Sequence, residues 1–344
     1  MRELLWIRRL ALFGAILCFG VVVLGGYTRL SNSGLGCPDW PGCFGHIAPT
    51  GNAEHYASDA DVRKAWVEMI HRYFAGTLGV VIVVIAALSI RARREPGVSV
   101  GFALVLLVLV VLQGILGMLT VTWLLKPLIV TGHLVGGLTT FAMLLWLWLS
   151  KRAEDRPVNG NTVLTGNRLV ENGGRARVWA GLALAALAVQ VALGGWTSSN
   201  YAAVACPDLP KCQDQWIPAA DYEDAFVLWR GLGINYAGGV LDHPARVAIH
   251  FTHRVGAVVA TAALLLAAFF SLRGLGAAPR WAGFAVLAAL AAQISIGVFM
   301  VLRAFPLELA AAHNAGAALL VATTVLLNRN LRPVSDLNRV DSHR

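Results

Sequence analysis

The sequence predicts an all-α integral membrane protein: eight transmembrane helices forming two parallel, pseudo-repeated four-helix bundles, with both termini cytoplasmic. Composition, the spacing of apolar runs and an internal repeat carry that prediction. Of 344 residues, 57% are hydrophobic and 14% charged, and the mean hydropathy is +0.64, which excludes an ordinary soluble protein. A membrane span needs roughly 20 apolar residues at 1.5 Å rise per residue. Runs of that kind fall near 10–27, 65–90, 98–123, 127–149, 178–197, 245–271, 281–302 and 307–327.

The first run is too long, and too directly followed by "GGYTRL", to read as a cleaved signal peptide. A long polar loop separates it from the second run, and short connections link the second, third and fourth. The fifth to eighth runs repeat that plan. Loop charges set the orientation. One set of segments carries Arg2, Arg8 and Arg9; Arg91, Arg93 and Arg94; Lys151, Arg152, Arg156, Arg168, Arg175 and Arg177; Arg273 and Arg280; and Arg329, Arg332, Arg339 and Arg344. The two long loops on the other side carry mostly acids, among them Asp39, Asp59, Asp61, Asp208, Asp221 and Asp242. This is the positive-inside pattern, so the net charge of +9 reports topology rather than nucleic-acid binding.

The repeat is plain in the residues. "GGYTRLSNSGLGCPDWPGC" from Gly25 matches "GGWTSSNYAAVACPDLPKC" from Gly194; "IHRYFAG" pairs with "THRVGAV", "LQGILGM" with "AQISIGV", and "GHLVGG" with "AHNAGAA". The expected organisation is an N-terminal half over 1–150, a cytoplasmic linker over 151–177 rich in Asn, Gly and Arg, a C-terminal half over 178–328, and a cytoplasmic tail over 329–344.

Candidate chemistry lies inside the membrane. His71, His133, His253 and His313 occupy the second and fourth span of each half. Pro127, Pro244 and Pro306 mark helix starts six to nine residues earlier, which puts the rings roughly 9 to 14 Å below the outer helix ends, in one layer. A strongly polar side chain in a span costs a few kcal/mol, so its default reading is functional. A lone membrane His is often a packing residue; four in repeat-equivalent places are not. Two His from facing helices suit the axial ligation of haem iron, whereas tetrahedral zinc needs further ligands in each half. Two haem-sized sites follow.

Arg72 and Arg254 each succeed a histidine, as propionate contacts or as side chains snorkelling to the headgroups. Symmetry breaks at Glu68, three residues before His71, because His250 stands three before His253. A carboxylate beside only one site suggests proton-coupled chemistry in one half and a held cofactor in the other. The competing reading pairs Glu68 with Lys64 at the interface. His250 reads as a satisfied polar residue at the helix start rather than a propionate contact. Gln113 and Gln293 read as interhelical hydrogen-bonders.

This constellation, "ExxHR", "GH", "THR" and "AH" with two CPDxPxC loops, resembles the haem A synthase family from about Gly14 to Leu327. The resemblance implies oxidation of a ring methyl of haem O to a formyl group, giving haem A for terminal cytochrome oxidase. It implies His253 and His313 as axial ligands of a haem b cofactor, His71 and His133 in the half that receives haem O, and Glu68 as the catalytic carboxylate. Haem O is then the substrate, haem O synthase a candidate partner, and the electron-transfer partner unknown; a bacterial-type cell membrane is the location. Two other readings use four histidines, a two-haem electron-transfer cytochrome b and a haem transporter. The first usually places two His per helix and haems at both leaflets; the second needs ionisable residues in the inner halves of the helices, which carry none.

Both CPDxPxC loops fall on the extracytoplasmic side, an oxidising compartment. Disulfides Cys37-Cys43 and Cys206-Cys212 are therefore expected rather than a four-Cys metal site. Each would stabilise by about 2 to 3 kcal/mol in the chain-entropy picture. Cys18 reads as packing, and the long loop over 215–243 covers a haem edge or meets a partner.

Overall fold

In the computed structural model, residues 2–49, 56–154, 167–273 and 275–332 are described. Their secondary structure is helical, apart from isolated bridges pairing Cys43 with His46 and Cys212 with Gln215. The long helices are α1 (Arg2–Leu30), α2 (Asp59–Arg91), α3 (Val100–Thr122), α4 (Pro127–Glu154), α5 (Asn167–Ser199), α7 (His243–Leu272), α8 (Ala277–Leu302) and α9 (Leu307–Asn330); α6 (Tyr222–Ala225) is a single turn in the second long loop. All eight long helices contain segments long and apolar enough to cross a membrane, so the chain is a multi-pass membrane protein.

Helix ends reach beyond the apolar runs. α1 starts at Arg2 and carries Arg8 and Arg9 as further turns, because hydropathy locates the hydrocarbon slab while the backbone ladder continues into the headgroups. Of the expected linker, 151–154 belong to α4 and α5 begins at Asn167; residues 155–166 and the tail from 333 lie outside the described residues. Starts follow ordinary capping chemistry. The Ser58 hydroxyl accepts from Asp61 N–H at the head of α2, Ser99 does the same for Phe102 in α3, and Pro244 enters α7 at its first turn.

Within each half the third and fourth helices are joined by a tight turn with two successive left-handed residues, Leu124 and Leu125 (φ 50° and 62°) and Ala304 and Phe305 (φ 56° and 61°). Non-glycine residues adopt that conformation at a cost of roughly 1 kcal/mol or more each. The same unfavourable turn in matching places brings His133 and His313 down at matching depths.

The halves meet through α1 and α4 on one side and α5 and α9 on the other. One apolar core runs across this seam, including Ala11, Ala15, Leu144, Ala180, Ala183 and Val321. Small residues allow close backbone approach where no hydrophobic drive separates helix from lipid. Polar ties cross the seam too. Asn314 Nδ2 donates to Val22 O (3.1 Å), Thr131 and Ser199 hydroxyls meet at 3.4 Å, and Arg29 donates to Ser198 O (2.8 Å). Outward faces of α2, α3, α7 and α8 show Val80, Val108, Val258 and Phe284, as lipid contact requires.

Candidate functional site

A cavity of ≈ 2030 Å³ lies within the bundle, and its walls include His71, His133, His253 and His313 together with Glu68, Arg72, His250 and Arg254. Small-molecule pockets run to roughly 300–1,000 Å³, so this volume accommodates more than one large ligand. The His71 and His133 rings are perpendicular (88°) with centroids 6.4 Å apart. With metal–imidazole bonds of roughly 2 Å, that separation leaves room for one metal atom between them. Each ring lies against a glycine of a neighbouring helix. A Cβ added at Gly25 would sit 2.8 Å from His71 Cε1, at Gly194 3.1 Å from His253 Cε1, at Gly297 3.1 Å from His313 Cε1, and at Gly117 3.4 Å from His133 Cε1. These four glycines pair off by the repeat; they are legible in the sequence as matched positions but not as neighbours of the histidines.

Glu68 is 4% exposed. Its Oε1 pairs with Arg72 at 2.5 Å, and its Oε2 accepts from the Cys37 backbone N–H at 3.0 Å. Arg72 also donates to the carbonyls of Asp39 (2.8 Å), Pro41 (3.3 Å) and Gly42 (2.5 Å). Lys64 pairs instead with Asp61, at 3.4 Å. The second half repeats this lock with one substitution. His250 Nδ1 lies 3.3 Å from Cys206 N and its Nε2 3.3 Å from Arg254 Nε, one of the two ring nitrogens accepting, and Arg254 donates to Asp208 O (2.8 Å), Lys211 O (2.8 Å) and Cys206 O (2.7 Å). Both arginines thus fasten a disulfide loop to a histidine helix, an engagement not foreseen from the sequence.

Cys37–Cys43 and Cys206–Cys212 are disulfides, each closing a separation of 6 residues. Inside each loop the Asp of CPD caps the turn. Asp39 accepts from Phe44 N–H (2.6 Å) and Gly45 N–H (2.8 Å), and Asp208 from Gln213 N–H (2.6 Å) and Asp214 N–H (2.9 Å). Desolvation pushes both carboxyl pKa values up, but the N–H donors outweigh it and hold them below the ordinary carboxylate value.

Two of the histidines are held by glutamine. Gln293 Nε2 lies 3.2 Å from His313 Nε2 and donates to His313 O at 3.1 Å. Gln190, on α5, lies 3.1 Å from His253 Nδ1 and donates to His253 O at 3.0 Å. Gln293 was legible as an interhelical hydrogen-bonder, though not as one directed at a site histidine. Gln190 was missed; the available signal was an amide in an otherwise apolar span.

A family model described as cytochrome oxidase assembly protein, COX15-CtaA, matches residues 8–325. The chain belongs to this family. Among COX15-CtaA relatives, it is 40% identical over 340 residues to the heme A synthase of Shewanella oneidensis, covering 95% of this chain and 96% of that one. It is 26% identical to the heme A synthase of Rhizorhabdus wittichii, over 92% and 91% of the two chains. Similarity extends to heme A synthase COX15 of Saccharomyces cerevisiae, at 25% identity over 92% of this chain and 73% of that one.

The residues of this COX15-CtaA chain fit a ring-borne iron. Nδ1 of His71, His133 and His313 is buried without a hydrogen-bond partner, so these rings keep polar capacity that the protein itself does not satisfy. Among the described residues no cluster of three or more His, Cys, Asp or Glu side chains is arranged to hold a bare ion. Histidines in pairs, with glycines clearing the space beside the rings, suit a planar macrocycle that brings its own four equatorial donors.

Proposed function

We infer that this chain is a haem A synthase, an oxidoreductase that converts a ring methyl of haem O into a formyl group to give haem A. The observation that carries this reading is a membrane cavity with two histidine pairs, only one of which has a carboxylate beside it, in a chain 40% identical to a heme A synthase over 95% of its length.

The halves divide the work. His253 and His313 would hold a haem b, which when bound would supply one-electron redox chemistry. His71 and His133 receive haem O. Glu68, fixed by Arg72 and the Cys37 N–H, presents a carboxylate at the substrate half, where removal of hydrogen from an unactivated methyl requires a proton acceptor. Arg72 and Arg254 position the loops first, and any propionate contact uses what their loop bonds leave. The largely apolar, glycine-containing walls suit a hydrophobic ring.

The basic segments at the termini and between spans support a cytoplasmic location for both ends, and two disulfides support an oxidising, extracytoplasmic side for the CPDxPxC loops. The function is tested by purifying the protein from cells that make haem O and extracting the pigments. A formyl-bearing haem is expected; haem O recovered unchanged under turnover conditions contradicts the reading.

A further inference from the structure

Three of the four site histidines share a pattern that the fourth lacks. One helical turn after His133, His253 and His313 stands a glycine: Gly136, Gly256 and Gly316. In each case a Cβ added there would collide with a glutamine amide from the adjacent helix, Gln113, Gln190 and Gln293 respectively. The missing side chain makes the seat in which the amide lies. His71 is followed at the same spacing by Phe74, and the residue in register with Gln190 is Val21. Gln190 therefore has no repeat counterpart, and only in the second half are both histidines bonded by a glutamine.

We propose that Gln190 is the positioning residue for His253, fixing its ring and tautomer so that the second half keeps its haem while the first, with Val21 and Phe74 in the corresponding places, exchanges its own. Ligation through Nε2 requires the ring proton on Nδ1, and a buried N–H needs an acceptor. Gln190 already touches His253 Nδ1 with its amide, and its Oε1 is buried with no partner. Turning the amide about its last bond offers that oxygen to Nδ1–H in exchange for the bond to His253 O. His71 Nδ1 has no hydrogen-bond partner, and among the described residues no glutamine amide is bonded to that ring. A fixed pair suits a resident cofactor. A histidine without a glutamine clamp suits a site that must release its product.

This inference rests on the reading of the second half as the haem b site, and the test separates the two. Full-length Gln190→Leu, Gln190→Glu and His253→Ala proteins are purified with their haem, and midpoint potential, ferric low-spin electron paramagnetic resonance and the rate of haem loss to a scavenger protein are measured. A stronger acceptor on the ring makes a stronger ligand and favours the ferric state. The potential should thus rise in Gln190→Leu and fall in Gln190→Glu, with altered g-values in both and haem loss about 10-fold faster in the leucine variant. Unchanged values, or shifts of the same sign in both variants, overturn the role of Gln190 and leave the haem assignment standing. Full haem b retention in His253→Ala overturns the assignment and the inference together.

Discussion

Glu68 Oε2 accepts the backbone N–H of Cys37 at 3.0 Å, which ties a buried carboxylate to the first residue of a disulfide loop. The loop, the arginine and the carboxylate are one structure, because Arg72 spans Glu68 and the loop carbonyls. In the second half the same lock is built around His250 and Cys206. The duplicated unit was kept as architecture and varied at one acceptor.

Opening the first disulfide should therefore act on Glu68. A Cys37→Ser, Cys43→Ser protein is expected to fold with normal haem b content while losing about 10-fold or more in turnover, the order of effect of a small displacement of a catalytic group. The matching Cys206→Ser, Cys212→Ser protein should retain more turnover and instead shed haem b. Pigment analysis and turnover on both proteins check this, and equal effects would break the link between loop and carboxylate.

Arg254 donates to three loop carbonyls, and its Nε lies 3.3 Å from His250 Nε2. Arg254→Lys cannot reproduce a planar fork with several donors. Leaving even one buried acceptor unpaired costs about 1–3 kcal/mol. A lower thermal midpoint, by several degrees, is expected for Arg254→Ala and nearly as much for Arg254→Lys, read by thermal unfolding in detergent. A lysine protein as stable as the parent would rule out the multidentate role.

Acid should loosen both loops. Asp39 and Asp208 have folded-state pKa values below the ordinary value, so the stability they contribute is present above the unfolded pKa of about 3.9 and is lost as pH falls through the lower folded value. Amide exchange at Phe44, Gly45, Gln213 and Asp214 should show constant protection, after correction for intrinsic rate, from neutral pH down to about 4, then a loss below it. Asp39→Asn should remove that acid transition in the first loop only.

The long second loop is seated on the other half. Lys126, 2% exposed at the turn between α3 and α4, places its ammonium 3.3 Å from the Trp229 ring centroid and donates to the carbonyl of Gly231, while Tyr236 N–H donates to Leu124 O at 3.0 Å. With Trp229 half exposed, this cation–π pair is worth about 1 kcal/mol. Trp229→Ala should release the segment, read as proteolytic cleavage between residues 227 and 240 at a rate raised by about 5-fold. An unchanged cleavage rate would show that the seat is held elsewhere.

Much of this was legible in the sequence for identifiable reasons. Apolar runs of span length have one solution in lipid, so the eight helices followed from hydropathy. The repeat marked the histidines and the Cys pairs as matched sets, and the structure closes Cys37–Cys43 and Cys206–Cys212 as expected. Long-range relations were hidden. That Glu68 and His250 occupy one position in a shared lock, that both arginines address carbonyls, and that Trp229 reaches Lys126 all depend on contacts between distant segments. Gln190 escaped notice because it breaks the repeat that made the other residues visible.

The central claim is that Glu68 serves catalysis at the substrate half, and Glu68→Gln tests it most directly, since the amide can still accept the Cys37 N–H. Haems extracted from cells that make haem O and express this variant are separated and quantified. Haem O should accumulate and haem A fall by about 100-fold or more, the range for loss of a general acid–base group, with haem b in the purified protein unchanged. Haem A formed at the parental rate would contradict the account.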